Sequence, residues 1–561
     1  MIEPSTLTTT ARTPDPRRWI TLGVLIVSVI IVVLDTSVLN VAIPTMLREL
    51  DTTVPSLEWV ISGYALTLAS LLIIGGRLGD LFGHRRLFII GLCFFGTGSA
   101  IAALAPNVGV LILGEAVIEG TGAALMVPST LALLSGSFQG RERAGAFAAW
   151  GAAMGGAAAF GPVIGGFLTT NYSWRWAFGI NVIIAPIAIA GALLFIKPGK
   201  PTGDRTAIDF LGALLVACGT FLVVFGLSQG PTYGWRKPLE AFHIGGLELW
   251  PTSMPVSIVT AAFLAGAALL AVFVRVEMVK ERDGRHPLFE FSQMRRPSFR
   301  YGTIVVMIAA LGQLGMLFCL PLFLQTSSDL TAQQTGLWLL PLGIGIIIGA
   351  QLGGRLAHRV GVTNVIRAGF VAEVVGVVSM IPGLQPGASF WRILPCLMLY
   401  GAGSGVANSQ LTNVVLWGIP SERAGAAGGA NSTARQLGAA LGAATLGTLL
   451  TVHTINSAVS SVHAAGLPTP VSDSAVSGIE SMGANWQAPA GLSADQATTL
   501  NHLFDSAVAS GARWALGFAA VMFLAGGLLS LLIPQIQLDD NLDEDAISPV
   551  TDVGTLVLDP H

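Results

Sequence analysis

Residues 76–83 read GRLGDLFG, and residues 354–361 read GRLAHRVG. The two octets share both terminal glycines and the Arg-Leu pair that follows the first. Each follows one apolar stretch and precedes another, which places it between two membrane-length helices. A crossing helix needs about 20 apolar residues. Fourteen such stretches start near residues 20, 58, 86, 109, 145, 176, 208, 254, 300, 333, 362, 390, 425 and 512. The octets then close the second and the tenth. If the seventh and eighth spans are an insertion, the tenth is the second helix of another six-helix half. Two parallel halves with a site near the midplane form a transporter architecture. The expected fold is an all-α polytopic membrane protein, two six-helix halves plus two inserted helices.

Composition supports this reading. Of 561 residues, 52% are hydrophobic, 11% are charged, and the mean hydropathy is +0.70. Soluble domains carry about 25% charged residues. The net charge of −3 says less than its distribution. With the N-terminus inside, cytoplasmic segments collect Arg17, Arg18, Arg85, Arg86, Arg141, Arg143, Lys197, Lys200, Arg205, the run from Arg275 to Arg300, Arg355, Arg359, Arg367 and Arg423. The other side receives Arg48, Arg175, Arg236, Lys237, Arg392 and Arg513. This bias puts both termini in the cytoplasm and the chain in the cell membrane as a multi-pass protein. The segments are a cytoplasmic N-terminus (1–19), an N-terminal half (20–196), a linker with the inserted helices (197–275), a C-terminal half (276–534) and an acidic tail (535–561). Within the C-terminal half, 453–511 holds no Lys or Arg and reads as a long external loop with a short helix near 493–508. The polar N-terminus has no signal-peptide core. Cys93, Cys218, Cys319 and Cys396 each sit in an apolar stretch without a disulfide or metal pattern.

At 76–86, GRLGDLFGHRR resembles the cytoplasmic loop signature of the major facilitator superfamily, G-x-L-x-D-x-x-G-R-K. Gly76 and Gly83 permit close backbone approach. Asp80 can take a helix N-terminus or an arginine, so that Gly76, Asp80, Gly83 and Arg85 would form a conformational latch. His358 replaces this aspartate in the second octet. LDTSVLNVAIP (34–44), with Asp35, Asn40 and Pro44, resembles the first-helix motif of drug:proton antiporters. GPVIGG (161–166) resembles their fifth-helix antiporter motif; Gly161, Gly165 and Gly166 would pack against the other half, with a kink at Pro162. WRWAFGIN (174–181) and RQLGAALG (435–442) are phrases of the fourteen-helix branch. Together they are similar to the fourteen-helix drug:proton antiporters of the EmrB/QacA type.

One stretch departs from that pattern. LILGEAVIEGTGAALMVPS (111–129) puts Glu115 and Glu119 in the fourth span, and Ala116 stands where the family's arginine would be. The family's account of coupling through that arginine does not carry over. Charged groups inside a membrane need a partner, a proton or a water-filled cavity. With a helical rise of about 1.5 Å per residue, Asp35 and Glu119 fall at similar depths. The expectation is therefore one acidic cluster of Asp35, Glu115 and Glu119 that shares at least one proton. A hydrogen-bonding role between helices is the plainer alternative for each glutamate. In the C-terminal half, Glu373 and Arg435 could form an ion pair, structural or gating, and Gln313 and Gln325 could face the cavity.

The expected function is a proton-driven secondary exporter of hydrophobic, cationic compounds that works by alternating access. Export of an endogenous lipid, siderophore or antibiotic is the alternative, and a non-transporting membrane sensor a lesser one. A primary pump would need G-x-x-x-x-G-K-[ST], which the sequence lacks. The eight histidines are scattered without metal-type spacing, so neither an enzyme nor a cofactor or metal is expected. The expected partners are a small hydrophobic substrate, protons and the bilayer. No nucleic acid is implied, and the chain is expected to be a monomer.

Overall fold

The structure, a computed structural model, describes residues 16–536 apart from 51, 53, 139, 199–208, 245–246, 286, 329, 421–422, 483–485, 487 and 489–491. Part of the acidic tail and of the linker thus lies outside the described residues. The N-terminal half comprises α1 (Arg18–Glu49), α2 (Val54–Phe82), α3 (His84–Ala103), a composite span, α6 (Gly140–Asn171) and α7 (Trp176–Phe195). The composite span runs through α4 (Val108–Ile112), a π-helical stretch (Leu113–Glu119) and α5 (Gly120–Ser137). Two further helices follow, α8 (Phe210–Tyr233) and α9 (Ile258–Arg282), joined by a hairpin of β1 (Phe242–Ile244) and β2 (Leu247–Trp250). The C-terminal half holds α10 (Pro297–Ser327), α11 (Ala332–Val360), α12 (Val362–Met380), α13 (Phe390–Val415), α14 (Ala424–Ala464), α15 (Thr469–Met482) and α16 (Ala494–Leu529).

Among the described residues, 12 helices are long and apolar enough to cross a membrane, and α6, bent by 42° between Ala158 and Val163, makes 13. The remaining expected span, α13, has the length at 26 residues but is diluted by polar side chains. Ser404, Ser409, Gln410, Thr412 and Asn413 are all buried, so its polar face is turned into the protein and away from lipid. The expected external loop is mostly helix. α14 continues to Ala464, α15 fills the middle, and α16 starts at Ala494 behind a capping box of Ser493 and Gln496. Buried Leu500, Phe504 and Ala507 fix that first part of α16 to its neighbours.

The repeat is visible in the backbone. Gly83 (φ 96°) turns α2 into α3, and Gly361 (φ 84°), which closes the second octet as Gly83 closes the first, turns α11 into α12. Both need the left-handed region that glycine enters without a Cβ penalty. The halves meet where α2 packs on α14 and α6 on α11 and α13. Where α2 meets the start of α14, a Cβ on Gly76 would lie 2.2 Å from the Gly425 carbonyl oxygen, so both positions exclude any side chain. Nearby, Arg143 donates to the Leu416 carbonyl at 3.0 Å and Gln410 to that of Ala144 at 3.4 Å, again across the halves. These contacts all lie at the end of the bundle that carries Arg85, Arg86, Arg296 and Arg423, here called the basic end.

Polar contacts tie the inserted pair together and to the rest. Gln229 on α8 donates to Ser62 on α2 at 3.2 Å. Lys280 on α9 bridges Asp209 (2.5 Å) and Glu277 (3.1 Å). Glu277 in turn accepts the backbone N–H groups of Leu288 and Phe289, which fixes the chain that enters α10.

Candidate functional site

Asp35 lies on α1, Glu115 and Glu119 on the π-helical stretch, and the three are 2%, 0% and 0% exposed. One carboxylate oxygen from each lies within 4.8 Å of the others. The structure thus brings together the three acids that the sequence places in one cluster. A π-helical turn disrupts the regular ladder and recurs at functional sites. Here it carries both glutamates, and α3 backs onto it through Gly98, whose nearest neighbours are Gly114 and Glu119.

The donor that holds the cluster is one that sequence reasoning does not single out. Asn181 on α7, the last letter of WRWAFGIN, donates from Nδ2 to Asp35 Oδ1 (2.9 Å) and Glu119 Oε1 (3.3 Å). An asparagine inside an apolar span is the available signal. Asp35 Oδ2, both Glu115 oxygens and Glu119 Oε2 remain buried without a donor, and the hydroxyls of Tyr64 and Ser99 are also buried and unpartnered. Three ionised carboxylates here would face one another with a single amide between them, an arrangement a low-dielectric interior does not sustain. Protons placed between the oxygens supply the missing donors and remove the like-charge repulsion. The same oxygens are close enough to ligate a cation.

The missing arginine has a steric explanation. A Cβ on Gly63 of α2 would come within 2.8 Å of the Ala116 Cβ, so the two helices touch at that point and leave no room for a long side chain. Ala116 itself is 2% exposed.

The latch is built differently from the expectation in one respect. Asp80, 2% exposed, accepts from the backbone N–H of Gly425 and of Ala426, both at 3.0 Å. It thus takes a helix N-terminus, that of α14, from the opposite half. His84 Nε2 lies 3.1 Å from Asp80 Oδ1 and braces it. Arg85 does not cross the seam. It donates to the Ala192 and Leu193 carbonyls (3.2 and 2.7 Å) at the C-terminal end of α7 in its own half. In the second octet His358 is exposed, so that position is not a buried clasp of the same kind.

Two other placements depart from the expectation. Gly161 meets Ser37 and Gly165 meets Val38, so the GPVIGG motif packs on α1 of the same half. The bend in α6 separates the two roles: before it Ala148 and Gly155 face Gly354 and Ile346 of the other half, and beyond it the helix lies on α1. Glu373 and Arg435 do not pair. Glu373, fully buried, accepts from Gln313 Nε2 at 2.9 Å. Arg435 donates to Asn408 Oδ1 (3.2 Å) and Thr412 Oγ1 (3.5 Å). Gln313 follows Asp35 by the same interval that separates Gly354 from Gly76, so the repeat sets an amide where the first half has an acid.

With this geometry the sequence profile of the Major Facilitator Superfamily can be set beside the chain; it matches residues 25–443. The chain belongs to the Major Facilitator Superfamily. Members are transporters that carry small molecules. A probable actinorhodin transporter of Streptomyces coelicolor is 33% identical over 449 residues, 78% of this chain and 74% of that protein. A tetracenomycin C resistance and export protein of Streptomyces glaucescens is 29% identical over 542 residues, 96% of each. A methylenomycin A resistance protein of Bacillus subtilis is 29% identical over 428 residues, 76% of this chain and 86% of that protein. Among solved structures, a proton:xylose symporter superposes with a TM-score of 0.57 at 11% identity, covering 94% of this chain and 98% of that one. A human organic anion transporter gives the same TM-score at 13% identity, covering 92% and 100%. These two confirm the superfamily fold.

Proposed function

We propose that this chain is a proton-driven exporter of hydrophobic small molecules in the cell membrane, with both termini and the basic end in the cytoplasm. The observation that carries the coupling is the cluster of Asp35, Glu115 and Glu119, which has four buried oxygens without donors and one shared amide. Loss or gain of a proton changes the charge of a site that the structure buries completely, and that is the differential free energy a gradient needs to act upon. The Asp80 clasp supports alternating access, because it closes the basic end through a bond that rocking of the halves would break. The relatives named for antibiotic resistance and export support a drug-type substrate. Two of them are a transporter and an export protein of Streptomyces named for particular compounds, which favours export of an antibiotic as the second reading.

The test is efflux of a fluorescent hydrophobic dye from pump-deficient bacteria that express the chain, with and without a protonophore. Wild type should extrude the dye only while the gradient stands, and Asp35→Asn and Glu119→Gln should not. Efflux that persists with the protonophore, or is equal in all three proteins, would refute the coupling.

A further inference from the structure

Arg435 is the charged group that the coupling site leaves unexplained. It lies eleven residues into α14, roughly 16 Å from the basic end at about 1.5 Å per residue, near the middle of the bundle. Residues seven apart share a helix face. Gly428, seven residues earlier, sits against Leu131 and Pro128 of the N-terminal half, so the face that bears Arg435 looks across the seam. Two turns beyond that contact, the arginine side chain is half-buried, whereas the three acids are sealed.

Its surroundings are neutral. Asn408 Oδ1 and Thr412 Oγ1 accept from it, and among the described residues no carboxylate forms an ion pair with it. A guanidinium has five N–H donors in a rigid fork, and these two bonds use two of them. Asn408 is itself held, its Nδ2 donating to the carbonyl and hydroxyl of Ser404 at 3.0 and 3.2 Å, which aims its oxygen at Arg435. Ser404, Asn408 and Thr412 recur every fourth residue along α13 and form one polar stripe beneath the cation. A membrane protein keeps a charge at this depth when it meets an opposite charge or water. A cation oriented by neutral acceptors, with donors to spare and facing the other half, is arranged to receive an anion.

We propose that Arg435, oriented by Asn408 and Thr412, binds an ionised acid group, a carboxylate or a phenolate, of the exported compound. The inference rests on the exporter reading and refines its substrate class. An acidic cluster alone suggests a cation, but the charged side chain that is not fully sealed at this depth in the C-terminal half is an arginine.

The experiment measures equilibrium binding of two xanthene dyes to the purified full chain by fluorescence anisotropy: fluorescein, which carries a carboxylate and a phenolate, and rhodamine 6G, an esterified cation. Arg435→Gln keeps a donor for Asn408 and should fold, and its melting temperature is recorded alongside. Loss of a charge-assisted pair should weaken fluorescein about tenfold or more, with rhodamine 6G unchanged. Arg435→Lys, which keeps the charge without the fork, should retain most of the affinity. Asn408→Asp, which supplies a competing carboxylate, should lose as much as Arg435→Gln. The proposal is overturned by unchanged fluorescein affinity in Arg435→Gln, by an equal loss for both dyes, or by a wild type that does not bind fluorescein. Dye uptake into inverted vesicles under an imposed pH gradient separates the two readings. Binding without gradient-driven uptake contradicts the exporter and leaves the anion site standing, whereas uptake of fluorescein undiminished by Arg435→Gln removes the anion site alone.

Discussion

In the N-terminal half, three carboxyl groups on α1 and the π-helical stretch share one amide, that of Asn181. In the C-terminal half, the carboxyl group of Glu373 has the amide of Gln313 to itself, and one of its oxygens is left over. The repeat makes this a comparison at equivalent positions, because Gln313 is the counterpart of Asp35. A single carboxyl group with a dedicated donor is short of a partner at one oxygen only. Three with one donor are under-satisfied whatever their orientation, and only mobile protons or a cation complete them. This difference is the ground on which we propose coupling in the N-terminal half and substrate recognition in the C-terminal half, where the charged side chain that is not fully sealed is Arg435.

The largest effect that would break this assignment is on flux. Asp35→Asn should abolish gradient-driven efflux while the protein still folds, because the amide fills the same volume and keeps a hydrogen-bonding group beside Asn181. A coupled Asp35→Asn protein would move coupling elsewhere. Next comes stability: Ala116→Arg, which restores the family residue, should cost about 2–3 kcal/mol by overpacking against Gly63, read as a lower melting temperature in detergent. If the variant melts like wild type, α2 and the fourth span are not locked together as the structure shows.

A smaller shift is expected at the seam. Asp80→Asn removes the charge that two N–H groups at the start of α14 address, a change of about 1–2 kcal/mol in favour of opening the basic end. Cysteine labelling of a residue beneath the seam, such as Ser409→Cys, should speed up in that background; an unchanged rate would mean the clasp does not hold the closed state. The smallest effect should be Glu373→Gln, which keeps size and hydrogen bonding: efflux and its protonophore sensitivity should stay close to wild type. A loss of coupling there would place proton traffic in both halves.

Much of the architecture was legible because it depends on spacing along one helix or on composition. The two octets gave the halves, and the apolar stretches gave the spans. Glu115 and Glu119 stood out as two acids in one apolar span, and matching depth added Asp35. What could not be read was which side chain meets which across helices. Asn181 looked like one letter of a family phrase, and only the packing of α7 against α1 and the π-helical stretch makes it the shared donor. Glu373 and Arg435 lie at similar depth on α12 and α14, yet the polar stripe on α13 takes the arginine and α10 takes the acid. The bend in α6 turned the GPVIGG glycines onto α1. The alanine-rich segment 453–511, which holds acids but no Lys or Arg, read as a loop with one short helix, whereas it is mostly helix that extends α14 and α16.

The central claim is that the cluster of Asp35, Glu115 and Glu119 holds exchangeable protons. Infrared absorption of the purified protein at neutral pH tests it without any substrate, since a protonated carboxyl group has a C=O band that shifts in deuterium oxide. Wild type should show such a band, and it should shrink in the triple variant Asp35→Asn, Glu115→Gln, Glu119→Gln beyond whatever Glu373→Gln removes by itself. An identical band in wild type and triple variant, or none in wild type, would contradict the account.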